Sequence, residues 1–218
     1  MNKGKLIVFE GADGTGKSTQ ARLLFAYFKK KKIPAVLFSF PQYQSAWGKM
    51  VRRYLNGEFG DVHEVSPYLA SVLYAGDRLL ASAKIEKWLA EGKIVVCDRY
   101  VASNIAHQGA KMKSQSEKSK YVKWLEDLEF DVHKIPKPDI VVLLTLPPKS
   151  AQKFMKQRVL DIHEKDVVYQ EKVAETFREY SEGKKNWVEV SNMDGDRLKT
   201  LQEVDKEVID NLKKSRLI

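Results

Sequence analysis

Short runs of consecutive apolar residues alternate along this chain with longer stretches in which apolar positions recur at helical spacing. Lys5 to Glu10, with Leu6-Ile7-Val8-Phe9 at its centre, predicts a strand buried on both faces. From Lys17 to about Lys31, Ala21, Leu24, Phe25 and Phe28 fall on one stripe and predict a helix. Ala35 to Ser39 reads as a second strand, stopping at Pro41, and Gly48 to Leu55 as a short helix ended by Asn56-Gly57. Ser66-Pro67, an N-cap followed by proline at the first helical position, opens a long helix through Ala90 that Gly92 closes. Its apolar positions Leu69, Leu73, Leu80 and Leu89 suit burial against a sheet or a partner subunit. Ile94 to Cys97 is the third strand, followed by a helix from about Ser103, a Lys- and Ser-rich stretch near Lys111 to Ser119, and a helical stretch from Tyr121 to Phe130. After the break at Pro136-Lys137-Pro138, Asp139 to Leu146 is the fourth strand, cut off by Pro147-Pro148. Lys149 to Tyr180 is helical in character and highly charged, Trp187 to Val190 is a fifth strand, and a turn at Asp194-Gly195-Asp196 precedes an amphipathic helix from Leu198 to Leu212.

This β/α alternation, without an internal repeat or a linker, predicts one doubly wound α/β domain over residues 1–218. The expected architecture is three-layered, a five-stranded parallel sheet flanked by helices.

With 43% hydrophobic and 31% charged residues the chain belongs with soluble globular proteins, not disordered ones. The lone cysteine, Cys97, cannot form an internal disulfide and sits in an apolar run, which suggests a buried thiol in a reducing compartment. No apolar stretch approaches the ~20 residues of a spanning helix, and no signal-peptide pattern opens the chain, so a cytoplasmic location without membrane contact is expected. The net charge of +9 comes partly from lysine clusters without interleaved aromatics, which read as solvated faces and not as a specific nucleic-acid site.

The candidate chemistry begins at Gly11-Ala12-Asp13-Gly14-Thr15-Gly16-Lys17-Ser18, a G-x-x-x-x-G-K-S match between a predicted strand and a predicted helix. Glycines let the backbone turn its N–H groups inward on phosphate oxygens at a helix N-terminus. Lys17 is placed to reach β and γ phosphates and the Ser18 hydroxyl to ligate Mg2+, with Thr19 beginning the helix. A plain glycine-rich turn capped by Ser18 and Thr19 is the alternative, disfavoured by the flanking elements. Asp98, at the C-terminal end of an apolar strand, is the candidate second metal residue; alone it would read as a turn residue.

Several segments together, FEGADGTGKST, FPQYQSAWGKMVRRYL, SPYLASVLYAGDRLLA, VVCDRYVASNIAHQGAK and DIHEKDVVYQEKVAETF, resemble the thymidylate kinases, a family of phosphate-loop nucleoside monophosphate kinases, along nearly the whole chain. The resemblance implies a phosphate-loop NTPase fold and transfer of a phosphoryl group from Mg-ATP to dTMP, in dTTP biosynthesis. It also implies a homodimer, with the long helix from Pro67 to Ala90 as interface.

Residue by residue, the resemblance implies that residues 11–19 hold ATP and that Asp13, an odd carboxylate in a polyphosphate loop, accepts from the sugar 3′-hydroxyl of the acceptor. Arg99 would grip the acceptor phosphate, a task suited to a planar guanidinium. Phe40, Pro41, Tyr43 and Ser103 fall in the acceptor pocket. Tyr74 would stack on the base, Arg78 reach its carbonyl edge, and Asn104 pair with the ring N–H and its neighbouring carbonyl. His107 stands where relatives often carry Tyr or Phe, as bulk against a 2′-hydroxyl, although an ordinary structural role is equally open. The lid segment, about 149–168, contains Lys153, Lys156 and Arg158. Because Gly14 occupies the position where some relatives place an arginine, Arg158 is the candidate for the charge on the transferring phosphoryl group. A solvated helix face is the alternative reading of these cations, and Asp161 and Glu164 match acidic lid positions of unspecified role.

Three other functions compete: a sister kinase with a different or broader acceptor, a nucleotide-binding module without kinase activity, and a nucleic-acid-binding protein motivated by the charge. No N-K-x-D segment supports a guanine-nucleotide switch.

Overall fold

A computed structural model describes residues 3–147, 150–151, 161–163, 166–215 and 217–218. Five parallel strands, β1 (Lys5–Glu10), β2 (Ala35–Ser39), β3 (Ile94–Asp98), β4 (Ile140–Thr145) and β5 (Trp187–Ser191), form one sheet in the order β2-β3-β1-β4-β5. The glycine-rich loop follows the central strand, where the order of strands reverses. Such a switch point opens a crevice at the carboxyl ends of the strands. The register, Phe9 opposite Asp98 and Glu10 opposite Leu143, brings the ends of β1, β3 and β4 to one edge.

The alternation of side chains along β1 divides the core in two. Leu6 and Val8 join Val95, Cys97 and Val141 on one face, covered by α3 (Pro67–Ala90), α4 (Val101–Gly109) and α5 (Gln115–Glu126). Ile7 and Phe9 join Val96, Val142 and Leu144 on the other, covered by α1 (Lys17–Lys30) and α7 (Leu201–Lys214). Helix α6 (Val167–Ser181) packs Val173 and Phe177 against Ala102, Ala106 and Leu143. Helix α2 (Ala46–Leu55) packs Val51 and Tyr54 on Leu73 of α3. Each fully buried side chain of this size is worth ~1.5–3 kcal/mol. The three-layer fold with a five-stranded parallel sheet is therefore as expected, and Cys97 is a buried free thiol.

Several boundaries differ from expectation. The Ser66 side chain makes no capping bond, and Pro67 alone marks the start of α3. Of the predicted apolar positions on that helix Leu73 and Leu89 are buried, whereas Leu69 and Leu80 are 52% and 57% exposed. Helix α4 begins at Val101, not Ser103, because the chain turns directly at Arg99-Tyr100. The Lys- and Ser-rich stretch contains the start of α5, whose N-cap Ser114 accepts from Glu117 N. Beyond Glu126 the backbone widens into π-helical turns over Asp127–Val132. The charged stretch is not one helix through Tyr180: residues 161–163 lie in a turn, and α6 starts at Val167 with Asp166 as its cap. Leu198 pairs with Met193 in a small hairpin, and the last helix starts at Leu201 behind a Thr200/Glu203 capping box. Among the described residues no helix is long and apolar enough to cross a membrane.

Candidate active site

The loop of residues 11–16 closes on itself. Lys17 Nζ donates to the Ala12 carbonyl at 2.7 Å, and Thr15 Oγ1 donates to the same oxygen at 2.9 Å. Gly11 and Gly14 carry φ angles of +144° and +79°. A Cβ at Gly14 would also meet the Ala151 carbonyl at 2.8 Å, so the loop excludes side chains there sterically as well as conformationally. Gly16, at φ +83°, caps α1 without offering a side chain, which leaves the first N–H groups of that helix to an anion. Ser18 is exposed on the first turn. Burial, with the Arg99 charge adding to it, lowers the Lys17 pKa to about 8 despite the opposing carboxylates of Asp13 and Asp98.

Beside the loop lies a cavity of about 160 Å³. Its walls contain all ten expected acceptor-pocket residues, Asp13, Phe40, Pro41, Tyr43, Tyr74, Arg78, Arg99, Ser103, Asn104 and His107, together with Leu55, Tyr100, Asp161 and His163. Six segments distant in sequence build it: the loop, the chain after β2, the end of helix α2, helix α3, the β3–α4 junction, and the turn at residues 161–163. The Phe40–Pro41 peptide bond is cis. Buried Asp77 of α3 fixes the following turn, accepting from Gln42 N and Ser45 Oγ, both at 2.6 Å.

Arg99 adopts φ +67°, a left-handed conformation that costs a non-glycine residue on the order of 1–3 kcal/mol. The surroundings hold it there. Its N–H donates to the Phe9 carbonyl at 3.0 Å, its Nη1 to Ser103 Oγ at 3.3 Å, and its Nη2 to Asp13 Oδ1. Burial, the largest single influence, would raise the Asp13 pKa, but the Arg99 guanidinium and its hydrogen bond, together with the neighbouring basic groups, outweigh it and hold the carboxyl well below the usual carboxylate range. Asp13 Oδ2 accepts from Gln170 Nε2 at 3.1 Å.

The base-facing candidates differ in what they have left to offer. Asn104 Nδ2 donates to the Ser71 carbonyl at 3.1 Å, while its buried Oδ1 has no partner among the described residues. Arg78 is held by Glu129. His107 stacks on His163 with ring centroids 5.1 Å apart; burial lowers its pKa to about 3, so the ring is neutral. Asp98 Oδ1 is likewise buried without a partner among the described residues. Lys153, Lys156, Arg158 and Glu164 lie outside the described residues.

Sequence reasoning overlooked several residues at this site. Glu10, fully buried at the end of β1, accepts from the N–H groups of Tyr100 and Ser103 at 2.8 and 3.1 Å and so anchors the start of α4. A carboxylate closing an apolar parallel strand was its signal. Asn192 supports the loop from behind, donating to the Thr15 carbonyl at 3.1 Å. His163, Gln170 and Asn192 carried no local signal.

A glycine-rich loop at the switch point of a parallel sheet, beside a cavity lined by Arg78 and Arg99, is the arrangement expected of a phosphate-loop nucleotide kinase. Comparison with known proteins agrees. A family model described as Thymidylate kinase matches residues 9–203. A probable thymidylate kinase of Thermococcus onnurineus is 39% identical over 183 residues, covering 81% of this chain and 83% of that protein. The thymidylate kinase of Plasmodium falciparum is 27% identical over 215 residues, covering 99% and 92%. In fold, the chain is similar to the solved thymidylate kinase of Candida albicans, with a TM-score of 0.76 at 24% identity over 98% of this chain and 93% of that one. The chain belongs to the thymidylate kinase family, and by class it is a nucleoside monophosphate kinase.

Proposed function

We propose that this enzyme transfers the γ-phosphoryl group of ATP directly, in line, to the phosphate of dTMP, giving dTDP and ADP. The observation that carries the reading is the cavity itself: it joins the loop carboxylate Asp13 to Arg99, Tyr74, Arg78 and Asn104 in one enclosure beside the phosphate loop.

The loop N–H groups and Lys17 receive the donor phosphates. Arg99 grips the acceptor phosphate, and Asp13 takes the sugar 3′-hydroxyl as acceptor. Tyr74 stacks on the base; Asn104 Oδ1, unpaired among the described residues, accepts the ring N–H, and Arg78 donates to a base carbonyl. The attacking phosphate oxygen is ionised near neutral pH, so no strong general base is needed. Catalysis is then alignment and charge stabilisation with water excluded. The hydroxyl of exposed Ser18 and Asp98 Oδ1, without a partner among the described residues, fit a magnesium site, where the ion would neutralise charge on the donor phosphates. Arg158 is our candidate for the remaining positive charge. We also assign a homodimer, contacting through the exposed apolar face of α3 at Leu69, Val72, Leu79 and Leu80.

The test is ADP production from Mg-ATP across dTMP, dUMP, UMP, dCMP, AMP and GMP. Preference for dTMP supports the reading. Preference for another acceptor would keep the kinase and overturn the base assignments, and no transfer at all would favour a binding module.

A further inference from the structure

We infer that Glu129 is the positioning residue for the base-reading arginine, and that the π-helical widening of Asp127–Val132 brings this carboxylate to it. The inference rests on the acceptor reading above.

Arg78 and Glu129 are 2% and 0% exposed. Arg78 donates both Nε, at 2.8 Å, and Nη2 to the same oxygen, Glu129 Oε1, while Glu129 Oε2 has no partner among the described residues. Burial alone would lower the pKa of Arg78; the Glu129 charge and its hydrogen bonds reverse that, so the guanidinium stays charged in the cavity wall. The carboxylate claims one flank of the guanidinium. Nη1, 3.5 Å from the Tyr100 carbonyl, is the nitrogen it does not claim.

The consequence is chemical selection. An arginine has only donors, so a fixed guanidinium facing the base favours a ring carbonyl and opposes an exocyclic amino group. Free to swing, the same side chain would discriminate poorly. The location also bears on the π-helical turns. Such turns are rare and concentrate at functional sites, and this one carries the carboxylate that meets Arg78 across 51 residues of sequence. A buried pair of this kind is weak as a stabilising device, because desolvation offsets its attraction. Retaining it is better explained by orientation than by stability.

The test is a double-mutant cycle on the full enzyme with Glu129→Gln, Arg78→Met and both together, reading KM and kcat for dTMP and ATP and the dTMP-over-dCMP preference. Wild-type turnover on dTMP is read first. Should the wild type prefer another acceptor, the functional reading fails on its own account and the cycle is run on that acceptor. Glu129→Gln is expected to raise the acceptor KM about tenfold, the scale of a hydrogen bond to a charged group, with kcat and the ATP KM within about twofold. In the Arg78→Met background the same substitution is expected to shift the acceptor KM less than about twofold. An unchanged acceptor KM, an equal rise for ATP, or the same loss without Arg78 would overturn the proposal. If Glu129→Gln melts below assay temperature, Glu129→Asp, which keeps the charge and withdraws it by one methylene, carries the same test: a raised acceptor KM supports the role and an unchanged one overturns it.

Discussion

Arg99 and Asp13, 86 residues apart in sequence, are hydrogen-bonded to each other in the wall of the cavity beside the glycine-rich loop. The two groups proposed to take the acceptor's phosphate and its sugar hydroxyl are thus locked together through a strained backbone at Arg99. The pair pre-sets the spacing between the loop and the β3–α4 junction before any nucleotide enters.

Asp13→Asn removes the charge that holds Arg99. Isothermal titration should show dTMP binding weakened by about tenfold or more, with ATP binding changed less; equal losses would argue against an acceptor role. The substitution also has a pH signature. Because the folded pKa of Asp13 is depressed, its contribution to stability is present above the unfolded value near 3.8 and is lost as pH falls below it. Urea unfolding at pH 6 and pH 3 should therefore show the gap between wild type and Asp13→Asn shrinking in acid.

Lys17→Ala should lower turnover at least ~100-fold, the scale of one lost transition-state donor, with little change in melting temperature. Near-normal turnover would remove Lys17 from the mechanism.

The depressed pKa of Lys17, about 8, predicts a pH limb in the free enzyme. The ammonium is present below that value, so ATP affinity should weaken as pH rises through about 8. Between about 8 and the ordinary 10.5 the unfolded chain holds a proton that the folded one lacks, so this group's effect on stability becomes more favourable with rising pH. ATP titrations from pH 6.5 to 9.5 on wild type and Lys17→Met would check it, the limb disappearing in the variant.

Tyr74→Ala should weaken dTMP binding by ~1–3 kcal/mol, the range for base–aromatic stacking, and leave ATP binding nearly unchanged. A parallel loss of both would identify Tyr74 as a packing residue, since its ring also meets Tyr54 edge-on at 6.3 Å.

Gly76→Ala tests the packing of α2 on α3. The added Cβ would meet the Trp47 ring at 2.4 Å, so overpacking should cost ~1–3 kcal/mol and lower the thermal midpoint. An unchanged midpoint would mean that Trp47 moves aside freely.

The strands, the glycine-rich loop and the three-layer architecture were legible in the sequence because each is a local signal. Apolar runs of five or six residues need no distant partner to be read, and neither does the loop between Phe9 and Thr19. The sequence by itself also identified the acceptor-pocket candidates, although only as a set of segments resembling one family. What the tertiary structure decided is which side chains those candidates lean on. Gln170 reaches Asp13 across 157 residues, Glu129 reaches Arg78 across 51, and Asn192 reaches the Thr15 carbonyl across 177. No periodicity encodes such pairs, because a buried polar atom takes its partner from whatever the sheet order and helix packing bring within hydrogen-bond reach of it. The exposed face of α3 makes the same point in reverse. Leu69 and Leu80 read as positions for the sheet or for a partner subunit, and only the packed fold decides that they face away from the sheet.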